Sequence, residues 1–358
     1  MTAVIVLPGL AAILDTESCK KPMKRNHIAV YAAVAACAFS LPLASMAQPT
    51  TVFNDTFASG STAQSASPAS PTANSTAYQY FQQGGAPATP TIASGDLHLA
   101  GRTTSSSISE VQALFTTTPV TLTTVGDWID LTVVFTDTQN ILVGGVASSL
   151  NLGLYNSGGS MPTQGVRLDS TGSGTGGAVG WTGYNTRILG TGVASTFTRA
   201  PQGPGLTNPN QSQDLLFNGA SGSSTYNNPA GLQVGSTTAT TFTGGLTQGS
   251  TYTLDYQISL SAANTLIISN SLYNGSSVAG SPFYSQIVTA SGTTYLTNSF
   301  DGFALGWRYN STSAANSIDV SSINISGSIQ PAPEPGTLAL MGGGAVLAVA
   351  FRHRLKRG

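Results

Sequence analysis

The clearest hydrophobic pattern lies at 252–260, where Tyr252, Leu254, Tyr256, Ile258 and Leu260 alternate with Thr253, Asp255, Gln257 and Ser259. Alternation of period two over this length is what a strand with one buried face requires. A turn at 261–264 and a return strand at 265–273 are expected next, with Asn274-Gly275 as a hairpin turn in which both residues can take positive φ. A third strand is predicted at 283–289. Elsewhere the pattern predicts strands at 51–57, 95–99, 128–135, 150–155, 303–309 and 318–325. Leu150, Leu152 and Leu154 alternate with polar or small residues, so that strand reads as half-buried. Residues 58–77, 156–178 and 199–231 are rich in Ser, Gly, Thr or Pro and read as long loops.

Continuous apolar runs occur near the two ends, and each sits in an ordered three-part pattern. Met23-Lys24-Arg25-Asn26-His27 is a basic head, Ile28 to Leu43 is apolar, and Ser45-Met46-Ala47 is a small-x-small triplet before Gln48. This order reads as a secretory signal over 23–47, cleaved between Ala47 and Gln48. Residues 1–22 carry a second apolar stretch without a basic head. They read as a mis-assigned leader ahead of a true start at Met23.

At the other end, Pro333-Glu334-Pro335 lies in a rigid break. Thr337 to Phe351 is uncharged and glycine-containing, and Arg352, Arg354, Lys356 and Arg357 form a basic stop. As a helix rising about 1.5 Å per residue, 337–351 spans roughly 22 Å, against ~30 Å of bilayer hydrocarbon. Snorkelling arginines and local thinning cover the difference. The basic flank places the last residues on the cytoplasmic side.

The order Pro-Glu-Pro, short span and Arg/Lys cluster over 331–358 resembles the PEP-CTERM sorting signal. The resemblance implies export by the secretion machinery, transient anchoring in the inner membrane, and processing near the motif by an exosortase-type membrane protease. It further implies release or attachment at the cell surface, in a setting of extracellular polysaccharide. A permanent single-pass anchor is the alternative.

Composition sharpens the middle. Charged residues make up 8% of the chain, and between residues 48 and 332 there is no lysine, only five arginines against eleven acids, for a net −6. No basic patch exists there for nucleic acid. Both cysteines, Cys19 and Cys37, lie in the part expected to be removed. Thr, Val, Ile and Tyr with Gly, Asn and Pro favour strands and turns. The fold class is all-β: a jelly-roll-like antiparallel β-sandwich over 48–330, with an N-terminal signal helix and a C-terminal single membrane-spanning helix. Residues 300–308, Phe-Asp-Gly-Phe-Ala-Leu-Gly-Trp-Arg, followed by Ile318–Ile325, resemble the closing strands of concanavalin A-like (laminin G-like) jelly rolls.

Catalytic chemistry is thinly represented. Glycoside hydrolysis needs two carboxylates flanking the bond. Glu110 is the one Glu between 48 and 332, and no acidic motif surrounds it. Asp127 and Asp130 flank a strand start and read as turn caps. His98 is the one histidine of that stretch, too few for zinc, and no Gly-x-Ser-x-Gly accompanies it. It reads as a solvent-facing strand histidine. A structural calcium ion is left open at Asp137–Asn140 or Asp301-Gly302.

Sugar stacking needs exposed aromatics. Trp128, Trp181, Trp307, Tyr184, Tyr226 and Tyr273 are the candidates, with Trp181 and Tyr184 foremost, against a competing reading as core or rim residues. Thr116 to Thr124 is the remote candidate for an ice-matching face. The expected function is a non-enzymatic surface or matrix protein associated with extracellular polysaccharide. A lectin-like glycan-binding module is the alternative, and a glycoside hydrolase or ice-binding protein the remote ones.

Overall fold

The structure, a computed structural model, describes residues 49–58, 78–83, 90–100, 107–138, 149–160, 180–189, 194–199, 216, 233–235, 245–309 and 317–328. The leader, the signal helix with its Ala47/Gln48 cleavage, the sorting motif Pro333, Glu334 and Pro335, the span 337–351 and the basic stop lie outside the described residues. So do Gln139, Asn140 and Tyr226. Among the described residues no helix is long and apolar enough to cross a membrane.

Strict alternation builds the first sheet. Strand β7 (Trp128–Asp137) buries every second residue from Ile129 to Asp137. It lies between β12 (Thr251–Ala262) and β17 (Ser317–Ser328). From one edge the order is β14 (Tyr284–Ser291), β13 (Thr265–Asn274), β12, β7, β17, β4 (Asp96–Ala100) and β3 (Thr91–Ala93). Strand β17 serves two partners along its other side. Ser317–Val320 pairs with β4, and the length beyond Ile323 pairs with β1 (Thr50–Asp55). A bulge between Val320 and Ser322 separates the two halves. All these pairings are antiparallel. This is sheet A.

Sheet B runs β11 (Gln233–Val234), β10 (Ala194–Arg199), β9 (Thr182–Leu189), β8 (Ser149–Asn156), β16 (Gly302–Tyr309), β5 (Ser107–Leu114) and β2 (Gln79–Gln83). A short pair, β6 (Val120–Thr121) with β15 (Ser299–Phe300), stands apart from both. The chain passes repeatedly between the sheets, as in a jelly roll.

The core lies between the two sheets. Ile129, Leu131, Leu254 and Ile258 of sheet A meet Leu150, Leu152, Leu154, Leu305 and Trp307 of sheet B. Each such side chain contributes about 1.5–3 kcal/mol through burial. The fold class is therefore the expected all-β sandwich. Two local expectations are corrected. Strand β8 is buried on both faces, with six of the seven residues after Ser149 also buried and Asn156 partly so, because its odd-numbered residues are covered too. And of Asn274-Gly275 only Gly275 has positive φ, at 88°. The connection from β13 to β14 runs over 275–283 and makes no two-residue hairpin.

Candidate functional site

Alternate residues of sheet B face away from the main core, and the register aligns them in rows. One row holds Glu110 of β5, Gly306 of β16, Asn151 of β8 and Arg187 of β9. The next holds Gln112, Ala304, Gly153, Asn185 and Phe197. A third holds Leu114, Gly302, Tyr155, Gly183 and Arg199. Glu110, Gln112, Asn151, Asn185 and Arg199 are all buried. This is a polar floor, and buried polar groups are expected to be hydrogen-bonded. Gln112 Nε2 donates to Glu110 Oε1 at 2.8 Å, and Asn151 Nδ2 donates to the Leu216 carbonyl at 3.1 Å. The Arg187 guanidinium lies over the Phe197 ring, 5.5 Å from its centroid. A second apolar cluster of Leu114, Tyr155, Trp181, Leu216 and Ala304 covers part of the floor. A Cβ at Gly302 would lie 2.4 Å from the Trp181 ring, so only glycine admits the indole there.

Trp181 and Tyr184 do not form a stacking platform. Both are fully buried, and they lie on opposite sides of sheet B, Trp181 in the floor cluster and Tyr184 in the main core. Trp181 Nε1 donates to the Ser160 carbonyl at 2.8 Å. The Tyr184 hydroxyl accepts from the backbone N–H groups of Leu296 and Thr297 at 2.7 and 3.3 Å. Burial raises its phenol pKa, and those donors partly oppose the shift. Each ring is thus a core aromatic with its polar end satisfied. Trp307 is likewise buried, its Nε1 donating to the Leu99 carbonyl at 3.1 Å.

The outer face of sheet A is partly exposed. Its central row reads Ile287, Ser269, Gln257, Asp130 and Ser326 from β14 to β17, and the next reads Ser285, Ser271, Asp255, Thr132 and Asn324. Half-exposed Trp128 and Tyr273 flank these rows. Asp130 and Asp255 sit diagonally across β7 and β12, one register step apart. Burial, then the hydrogen bond and charge of Asp255, push the Asp130 carboxyl up to about 9, while the Thr132 hydroxyl pulls the other way. Burial and then the Asp255 charge raise the Tyr273 phenol. Asp130 is thus a strand residue paired with a second acid, not a turn cap.

Asp127 does cap a turn, its Oδ2 accepting the N–H groups of Thr123 and Thr124, each at 2.8 Å. Thr116 to Thr124 is a series of turns around a two-residue strand, with no regular flat face. His98 is part-exposed on β4, its Nδ1 against Asp319. The Asp301 carboxylate accepts from the N–H and hydroxyl of Ser157, both at 2.7 Å. Among the described residues no group of three or more His, Cys, Asp or Glu could hold a metal ion.

The floor went unseen in the sequence because its strands β5, β9 and β10 carry polar residues at positions buried on both sides. Their readable signal is the pairing of Glu110 with Gln112 and of Asn185 with Arg187, each two residues apart and so on one face of a strand.

Residues 331–355 match the PEP-CTERM protein-sorting motif. The chain carries a PEP-CTERM sorting signal. It is therefore an exported protein of an exosortase-type sorting system. No curated protein matches it in sequence. Among solved structures it is similar to the endo-1,3-beta-glucanase from Streptomyces sioyaensis, at 12% identity over 79% of this chain and 97% of that one, TM-score 0.40. It is also similar to peanut lectin with a 9mer peptide (11%, 78% and 98%, TM-score 0.33) and to lectin II from Ulex europaeus (11%, 70% and 93%, TM-score 0.32). At these values the likeness is to architecture and not to a site.

Proposed function

We propose that the domain is a non-enzymatic surface or matrix protein that associates with extracellular polysaccharide through the outer face of sheet A. The observation that carries this reading is the partly exposed field of hydroxyls and amides on that face, from Ser269 and Gln257 to Thr132 and Asn324, flanked by half-exposed Trp128 and Tyr273. Strands about 4.8 Å apart present these groups at a regular spacing to an extended chain. The aromatic rings supply faces for sugar C–H groups. With no lysine between 48 and 332 and a net −6, association rests on hydrogen bonding and stacking, not on cationic attraction. The sorting signal delivers the protein to the compartment where such polymers lie. The reading requires no cofactor.

The test is co-sedimentation of the secreted protein with polysaccharide from the producing cells. Trp128→Ala combined with Gln257→Ala is expected to lower the bound fraction at least tenfold, with thermal unfolding little changed. Wild-type protein that sediments no better than an unrelated β-sandwich overturns the proposal.

A further inference from the structure

We propose that the end of sheet A that carries Val125 and Trp128 rests on the membrane surface until the sorting signal is cut. The inference rests on that signal holding the chain in the bilayer. The chain enters and leaves the β-domain at this end. Thr50, two residues after the expected first residue Gln48, pairs with Gly327. Ser328, the last residue of β17, pairs with Trp128. The sorting motif begins at Pro331, three residues further on. Eight residues, 329–336, precede the apolar run that starts at Thr337. Fully extended they reach at most about 30 Å, roughly the length of β7. The end beside Ser328 is therefore the one held close to the bilayer.

The chemistry of this end suits lipid. The last outer row of sheet A reads Ile267, Ser259, Trp128 and Ser328. Trp128 is half-exposed and Ile267 is 36% exposed. Beside them lies the turn before β7. Asp127 Oδ2 accepts the N–H groups of Thr123 and Thr124, and the Asp127 N–H donates to the Thr124 carbonyl at 2.9 Å. The Gly126 N–H donates to the Leu260 carbonyl, also at 2.9 Å. These bonds fix the turn around Val125, which is 61% exposed. The segments that meet here, 120–128, 260–267 and 291–298, contain one charged residue, Asp127, and it is fully buried. No charge in them has to be desolvated when this end approaches lipid. Tryptophan favours the boundary between headgroups and acyl chains. With no lysine between 48 and 332, the contact does not depend on anionic lipid. One valine and one indole hold a bilayer weakly by themselves. The tether supplies the rest, raising the effective concentration into the roughly millimolar range. Cutting the tail removes the tether, ends the contact and uncovers Trp128.

The test places the full precursor in vesicles of uncharged phosphatidylcholine with brominated acyl chains, which quench indole fluorescence on contact. The chain has three tryptophans, and Trp181 and Trp307 are fully buried, so Trp128 is the one within reach of lipid. Quenching is expected in the wild type and is expected to vanish in Trp128→Phe. Val125→Asp puts a charge at the turn and is expected to reduce quenching at least twofold, with unchanged melting showing that the fold is intact. Val278→Asp, 47% exposed in the 275–283 connection at the other end of β13, is expected to leave quenching unchanged. A precursor that floats with the vesicles but shows no quenching, or quenching that Val125→Asp leaves intact, overturns the proposal. A precursor that does not float with the vesicles overturns the membrane anchoring on which the proposal rests, and the proposal with it.

Discussion

At the residue scale, single side chains carry more of this domain than its bland composition suggests. Asp130 is the clearest case. Its carboxyl is pushed up to about 9 by burial and then by Asp255, whereas an unfolded aspartate titrates at about 4. The folded state therefore holds a proton that the unfolded chain has released. The stability tied to it is complete below about pH 4 and is lost as pH rises toward 9. Asp130→Asn keeps the shape and removes the titration. It should flatten the pH dependence of the melting temperature between pH 5 and 9 and stabilise the domain at pH 8. A variant that melts with the wild-type pH profile would contradict the pairing. Trp181 supplies a second case. Buried against Tyr155 and the Gly302 backbone, it should cost about 3–5 kcal/mol in urea unfolding when replaced by Ala. A solvent-facing stacking residue would cost far less.

At the scale of elements, the sequence was legible wherever a strand has one wet face. Strands β7 and β12 show this, because burial alternates from Ile129 to Asp137 and from Leu254 to Leu260. Where both faces are covered, as in β8 and β16, the strand was legible but its second buried face was not. Asn151 on β8, Glu110 on β5 and Arg187 on β9 look like solvent positions in one dimension but face a covered floor. Strand β10 is hidden for a further reason. Its Thr196 points inward, hydrogen-bonding Thr186 of β9 at 2.9 Å and Gln286 of β14 at 3.2 Å. Gln286 also accepts from Asn270 of β13 at 3.0 Å. This buried bridge ties the two sheets together with groups that a hydrophobic pattern cannot flag. Gln286→Leu removes the shared acceptor and strands its partners. The expected loss is about 1–3 kcal/mol in chemical denaturation, and an unchanged midpoint would show that the bridge contributes nothing.

At the scale of the whole molecule, the layout of apolar and charged residues supports the proposed division of the chain into a β-domain between an N-terminal signal and the C-terminal sorting motif. Eight of its thirteen basic residues lie at residues 20–25 and 352–357, outside the β-domain. That distribution suits a chain whose ends are read by membrane machinery while its middle passes through. The sorting motif at 331–355 was legible because its proline break, short span and basic stop are local and ordered. The face proposed to bind polysaccharide was not, because it is assembled from strands far apart in sequence. Mass spectrometry of both termini of the protein recovered from the cell surface and culture fluid tests this division most directly. The expected product begins at Gln48, ends near Pro333–Pro335 and lacks residues 337–351. Recovery of the intact polypeptide from the cytosol, with both end segments still attached, would contradict the account.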